Sequence, residues 1–341
     1  MRAVLGRLGL AMLSLLVGLG LAEGALAFLL EHAELAKRLP GGALSHLRSY
    51  YLQHDRTLLQ ALPECSRYDP GLFYTLRPGE CRFRNREFDT VLRVNSAGLR
   101  DSEAALAAPE IIVVGDSFAM GWGVEQAEAF PQVLGRLSGR RVLNAGLPSY
   151  ATVREARLLD RLDTSRLRGL VVQYDSNDSE ENRLYAERGN QLLINDERAF
   201  RQDVQRAGRR HRYFPGAFSF RIVRGVVAPE VHPEPPVLPV RDQARLFLNA
   251  LAHASSRDLG GVAVVVLDLD PNRLATGDFA TAVQETAVEP EWPEFIRRLQ
   301  VADLRGRLGP DDYFVLDDHL RKSGHAKVAE RILERLRDAG L

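Results

Sequence analysis

Net charge is the first thing this sequence lacks: 45 acidic and 45 basic side chains cancel over 341 residues. Without a field of one sign, nothing draws the chain onto nucleic acid or an acidic polymer. No finger, helix-turn-helix or RNA-recognition signature is present, which sets nucleic-acid binding aside. Internal repeats are absent, so a solenoid or propeller is not expected. Cysteine is nearly absent. Cys65 and Cys81 are the only two, and no second cysteine or histidine stands nearby at zinc-ligand spacing, so no metal is expected. Apolar residues make up 45% of the chain and charged ones 26%, the balance of a globular protein with a core of normal size. The length suits one large α/β domain with additions, or two small domains.

What is present begins at the N-terminus. Arg2 and Arg7 precede a stretch, residues 8–30, whose only charge is Glu23. A run of about 20 apolar residues crosses a bilayer as a helix, and basic residues before it keep the N-terminus in the cytoplasm. A cleaved signal peptide is the alternative: residues 8–22 form an h-region and Ala25-Leu26-Ala27 a small-residue cleavage site. Phe28-Leu29-Leu30 carries the apolar run past that site and favours an uncleaved anchor. Either reading places the remainder outside the cytoplasm, on the periplasmic side or secreted. There, an even pair such as Cys65 and Cys81, in a segment rich in proline and glycine, reads as a disulfide. Closing a loop of this size contributes roughly 3 kcal/mol in the chain-entropy model.

Residues 31–108 read as a stalk and irregular lead-in, helical at first and then extended in short pieces over 83–94. From 109 to 341 the pattern is regular. Short apolar runs at 111–114, 141–143, 169–174, 261–267 and 313–316 alternate with helical stretches at 125–137, 152–162, 241–255 and 322–338. Buried strands alternating with amphipathic helices predict a parallel sheet covered on both faces. In such a sheet the working residues collect at the carboxyl ends of the strands. Residues 179–239 interrupt the alternation with Arg209-Arg210-His211-Arg212 and a proline-rich run, 232–236. They are expected to form an insertion, either a lid or a solvated excursion.

Four strand ends carry chemistry. Val113-Val114-Gly115-Asp116-Ser117-Phe118 puts a serine just past a strand, where its hydroxyl is exposed and its own N–H faces any anion that develops. Alone, such a serine is more often a helix cap. The segment Leu316-Asp317-Asp318-His319 supplies a base and a carboxylate, which a serine nucleophile needs. Residues i and i+2 of an extended segment share a face, so Asp317 is expected on His319, with Asp318 turned away. Asn144-Ala145-Gly146 offers an unobstructed backbone N–H, and Asn177 a side-chain amide, as oxyanion donors. Trp122 either lines a substrate pocket or fills space. His325 reads as packing or capping. Asp268-Leu269-Asp270-Pro271-Asn272 reads as a turn rather than a cation site.

In this order, Gly-Asp-Ser, Asn-x-Gly, Asn-Asp and Asp-x-His, the sequence resembles the SGNH/GDSL hydrolase superfamily over residues 91–341. The flanks Arg93-Val94-Asn95-Ser96-Ala97-Gly98-Leu99-Arg100-Asp101 and Gly121-Trp122-Gly123-Val124 are similar to those of exported bacterial members. The resemblance implies a flavodoxin-like three-layer αβα sandwich and no obligatory cofactor. It implies Ser117, His319 and Asp317 as a catalytic triad, and Ser117, Gly146 and Asn177 as an oxyanion hole. Three positions depart from the common pattern: Phe118 stands for leucine, Asp175 for glycine, and the acid lies two rather than three residues before the histidine.

The function expected is a serine esterase removing O-acyl groups, acetyl foremost, from cell-surface or exported carbohydrate or from lipid. Two alternatives stay open. One is an O-acyltransferase working with partners in polysaccharide modification, and the other is a scaffold that binds glycan or a partner without turnover.

Overall fold

The computed structural model describes residues 2–210, 214–228, 238–270 and 276–341. His211 and Arg212 of the basic cluster, the 232–236 proline run, and Pro271 and Asn272 lie outside the described residues. The chain forms two compact units: Met1–Arg56 with Gly208–Pro235 and Val315–Asp317, and Thr57–Ala207 with Pro236–Phe314 and Asp318–Leu341.

The first unit begins with helix α1 (Arg2–Glu31). Over Leu5–Glu31 it is long and apolar enough to cross a membrane, with mean hydropathy 2.1. A signal segment has the same character. Two more helices follow, α2 (Ala33–Ala36) and α3 (Gly41–Tyr50). The unit's core gathers Leu30, Leu47, Tyr50, Tyr51 and Phe218.

The second unit opens with two antiparallel hairpins, β1 (Ser66–Asp69) with β2 (Phe73–Leu76), and β3 (Gly79–Arg84) with β4 (Asp89–Val94). Cys65 and Cys81 are bonded, with Cα atoms 5.4 Å apart. A five-stranded parallel sheet follows: β5 (Ile111–Gly115), β6 (Val142–Gly146), β7 (Gly169–Tyr174), β8 (Ala263–Asp268) and β9 (Gln300–Val301). Its order is β6-β5-β7-β8-β9. Every residue of β5 and β7 is buried, as expected when helices cover both faces. Each buried valine, leucine or isoleucine contributes roughly 1.5–3 kcal/mol.

The remaining helices are α4 (Ser117–Met120), α5 (Phe130–Ser138), α6 (Thr152–Leu159), α7 (Asp178–Glu187), α8 (Glu197–Arg210), α9 (Ala217–Val227), α10 (Val240–His253), α11 (Asp278–Ala287), α12 (Glu294–Arg297) and α13 (Lys322–Asp338). In α13, His325, Val328, Ala329, Ile332 and Leu336 are buried, the spacing of one helical face; that face packs against α5. Of the 179–239 stretch, α7 packs into the helical layer beside α10 and α6, and the described residues of the interruption are largely helical.

One expected strand is corrected. Residues 313–316 do not join the sheet. Tyr313 and Leu320 form an isolated antiparallel bridge, and the Phe314 N–H donates to the His319 carbonyl at 3.0 Å. The chain therefore turns back on itself there. The fifth strand is the two-residue β9, too short to leave a periodic signal.

Strand order and register bring the motif ends together. The chain leaves β5 for β6 on one side and reaches β7 on the other, so β5 marks the point where strand order reverses, the usual place for a site in such sheets. Gly115 pairs in register with Gly146. A Cβ on Gly146 would lie 2.3 Å from the Met120 nitrogen and 2.7 Å from the Ala119 carbonyl carbon. Only glycine lets β6 approach the turn that carries the serine this closely. Gly146→Ala is expected to destabilise the fold by roughly 1–3 kcal/mol through overpacking, read as a lowered thermal midpoint by circular dichroism. An unchanged midpoint would mean the two elements separate without cost.

Candidate active site

Ser117 is the first residue of α4, directly after β5 and the Asp116 that caps the helix. The Asp116 Oδ1 accepts the Phe118 N–H at 2.9 Å, and the Asp116 N–H donates to Gln173 Oε1 at 2.9 Å. These bonds fix the turn, leaving Ser117 nearly buried with its hydroxyl aimed at one partner. The Ser117 Oγ lies 2.7 Å from His319 Nε2. The opposite ring nitrogen, Nδ1, lies 3.0 Å from Oδ1 of Asp318. Serine, imidazole and carboxylate thus stand in sequence at hydrogen-bond distance, although 202 positions separate Ser117 from His319.

The expectation that Asp318 turns away is corrected by this contact. It assumed extended backbone, whereas residues 314–319 form a turn, in which alternation of faces does not hold. The Asp317 carboxylate is engaged within the first unit, where Oδ2 accepts the Tyr51 hydroxyl at 3.1 Å and Oδ1 lies 3.8 Å from Arg56 Nη1.

Aromatic side chains hold the imidazole on both sides. Trp122 stacks on it with ring centroids 4.8 Å apart and planes at 17°, and Phe118 lies at 4.7 Å. Trp122 is itself buried against Phe83 at 4.6 Å. An aromatic face against an imidazole that becomes cationic is worth roughly 0.5–2 kcal/mol. Phenylalanine in place of leucine at position 118 therefore puts a second ring against His319.

The oxyanion candidates adjoin the serine but already have acceptors. The Gly146 N–H donates to Asn144 Oδ1 at 3.0 Å, so it is not unobstructed. Asn177 Nδ2 donates one hydrogen to Asp116 Oδ2 at 3.2 Å and keeps a second. Asp175, standing for glycine, rebuilds the turn beneath Asn177: its Oδ1 accepts the Asn177 N–H at 3.1 Å.

Acidic side chains crowd these strand ends. Burial, then the charges of Asp116 and Asp270, push Asp175 up to about 8. Burial likewise raises Asp116, while the Phe118 N–H and His319 act to lower it. Glu155 and Asp178 are pushed well above the carboxylate range, Glu155 by burial and the Asp178 charge, Asp178 by burial and Asp116.

Two residues with positioning roles passed unassigned in the sequence. The buried Arg100 guanidinium donates to the carbonyls of Gly121 and, at 2.6 Å, Val124, and so fixes the loop that carries Trp122. Burial lowers it to about 10, which leaves it cationic at neutral pH. Asp101 Oδ2 accepts the Asn144 N–H at 2.8 Å and so steadies β6. Their only signal was their place in the segment preceding the serine strand. His325 is buried, stacks on Phe130 and accepts the Phe130 N–H through Nδ1 at 3.2 Å. Burial lowers it to about 3, so it packs as a neutral ring.

A parallel sheet in this order, with Gly-Asp-Ser, Asn-x-Gly, Asn-Asp and the histidine at its carboxyl edge, decides the architecture. The fold is an α/β one, a five-stranded parallel sheet flanked by helices. No family model matches the sequence, and no curated protein does. Among solved structures, a lipolytic protein of the G-D-S-L family from Desulfitobacterium hafniense DCB-2 is 13% identical over 66% of this chain and 98% of its own, with TM-score 0.34. A carbohydrate esterase family 2 enzyme with a carbohydrate-binding domain, from Corynascus thermopiles (Myceliophthora fergusii), is 10% identical over 68% of this chain and 66% of its own, with TM-score 0.39. TesA is 14% identical over 67% of this chain and 98% of its own, with TM-score 0.35. None of these overlaps is close enough to carry an activity across.

Where a histidine serves as general base, a carboxylate on Nδ1 fixes its tautomer. Asp318→Asn is expected to lower ester turnover by roughly 100-fold or more with little change in KM. Asp317→Asn should cost less. The reverse ranking, measured by steady-state kinetics on the two variants, would return the acid's role to Asp317.

Proposed function

We propose that this protein is a serine esterase that hydrolyses O-acyl esters, acetyl foremost, on cell-surface or exported carbohydrate. The observation that carries the reading is the 2.7 Å contact between Ser117 Oγ and His319 Nε2 at the carboxyl edge of the sheet. A hydroxyl so placed loses its proton to the ring as it attacks.

In the proposed reaction Ser117 Oγ bonds to the ester carbonyl carbon while its proton passes to His319 Nε2. The imidazolium is stabilised by the Asp318 carboxylate and the rings of Trp122 and Phe118. Negative charge developing on the carbonyl oxygen is met by the Ser117 N–H and the second hydrogen of Asn177 Nδ2. Gly146 adds its N–H by exchanging Asn144 Oδ1 for the oxyanion. A donor of this kind is worth roughly 3 kcal/mol in the transition state. Collapse expels the sugar alcohol, which takes the proton from His319. Water then attacks the acyl-serine with the same base, and Ser117 is restored with a free carboxylic acid released.

The carbohydrate part of the reading is supported by the extracytoplasmic position that α1 and the disulfide suggest, since polymers bearing O-acetyl groups are exposed there. Hydrolysis of p-nitrophenyl acetate and of an O-acetylated polysaccharide, by the protein and by its Ser117→Ala variant, tests the whole reading. The expected result is release of acetate from both substrates that falls by at least 1,000-fold in the variant. Turnover that survives Ser117→Ala would remove the nucleophile. Acetate that appears on an added glycan rather than in water would reassign the enzyme as a transferase.

A further inference from the structure

Glu23 is the only charge in an apolar run of 23 residues, 8–30. A carboxylate in an apolar membrane-length run is costly unless it is paired, so such a residue asks for a partner. The structure supplies one. Glu23 Oε1 accepts the Phe218 N–H at 3.1 Å, and Oε2 accepts both the Ser219 N–H and the Ser219 hydroxyl at 2.7 Å. These are first-turn groups of α9, which lack acceptors within their own helix. A negative charge there also complements the helix dipole. Glu23 of α1 therefore caps α9 from outside.

The pairing fixes where α9 stands along α1. Every residue of α1 from 5 to 22 is exposed, and burial by the rest of the first unit begins beyond it, at Leu26, Ala27 and Leu30. Those exposed residues rise about 27 Å, close to the roughly 30 Å of a bilayer's hydrocarbon. Glu23 thus falls where α1 leaves the hydrocarbon on the far side, and α9 lies at that level.

The two faces of α9 differ. Ala217 and Phe218 are buried, with Phe218 edge-on to Tyr50 at 5.6 Å. The opposite face exposes Phe220, Val223 and Val227 at 55%, 52% and 77%, an i, i+3, i+7 stripe. Phe214 joins it, its ring 6.0 Å from that of Phe220. The helix's charges, Arg221 and Arg224, are both positive, and Arg221 donates to the Tyr50 hydroxyl and the His54 carbonyl at 3.4 Å.

We propose that α9 is a second membrane contact: an amphipathic helix lying in the outer-leaflet interface, with Phe214, Phe220, Val223 and Val227 in lipid. The occupant of the stripe is phospholipid, because the stripe continues the exposed apolar surface of the membrane-length helix that α9 is bonded to. The proposal rests on α1 remaining attached, and it gives Glu23 a reason to be retained: cleavage after Ala27 would strip α9 of its cap. It is independent of the ester chemistry.

Nitroxide accessibility in the full chain tests this directly. Val223→Cys and Val227→Cys, each carrying a spin label, are reconstituted in nanodiscs of phosphatidylcholine and phosphatidylglycerol. The native disulfide leaves the introduced thiol as the single labelling site. Collision with oxygen, which partitions into lipid, is compared with collision with a water-soluble nickel chelate, and Arg201→Cys on α8 serves as an aqueous reference. The expected result is an oxygen-to-nickel ratio several-fold above the reference at both positions. A ratio equal to the reference would put the stripe in water and overturn the proposal. Low collision with both reagents would overturn it too, by showing that protein covers the stripe.

Discussion

The hydrogen bond between Ser117 and His319 is the constraint on which the reading of this molecule depends. Neither partner can be placed by local structure alone. Ser117 is set by a buried parallel strand and a capped turn, and His319 by a tight turn closed through the Tyr313–Leu320 bridge. Their meeting at 2.7 Å requires the sheet, its strand order and the register of β5 against β6 all to be as they are. A shift of about 1 Å at such a contact is enough to cost a hundredfold in rate, which is why so much of the surrounding packing serves this one distance.

That packing is mostly devoted to the imidazole. Trp122 and Phe118 clasp the ring, Arg100 fixes the loop that bears Trp122, and Asp101 steadies the neighbouring strand. A buried guanidinium that ends on backbone carbonyls is an expensive device, since burial disfavours the charge. Its use here shows how narrowly the loop is specified. The crowded acids behind the strand ends work differently. Asp116 and Asp175 hold the backbone of the serine and asparagine turns through hydrogen bonds; burial raises both, and the charges of Asp116 and Asp270 raise Asp175 further.

Much of this was legible in the sequence. The apolar runs at 111–114 and 169–174 and the helical face of 322–338 reveal themselves because burial on both sheet faces, or on one helix face, leaves a periodic record. Three of the four motif ends, those of Ser117, Gly146 and Asn177, were legible for the same reason, as each lies at the end of a strand, whereas His319 lies in a turn. The two-residue β9 was not, because two residues carry no period, and α11 and α12 went unread beside it. Residues 313–316 read as a strand because their composition is apolar, but that composition reflects burial in a turn. The choice between Asp317 and Asp318 inherited the same error. The acceptors for Gly146 and Asn177 depend on side-chain geometry between segments far apart in sequence, which no local pattern encodes. Glu23 was legible as an oddity, and only the tertiary contact with α9 gives it a role.

The central claim is that Ser117 is a nucleophile activated by His319. Treating the protein with a fluorophosphonate and mapping the adduct by intact mass and peptide sequencing tests it most directly. The account predicts a single phosphonyl adduct on the peptide containing Ser117, formed rapidly by the protein and lost in His319→Ala. An adduct on another serine, or none on folded protein, would contradict it.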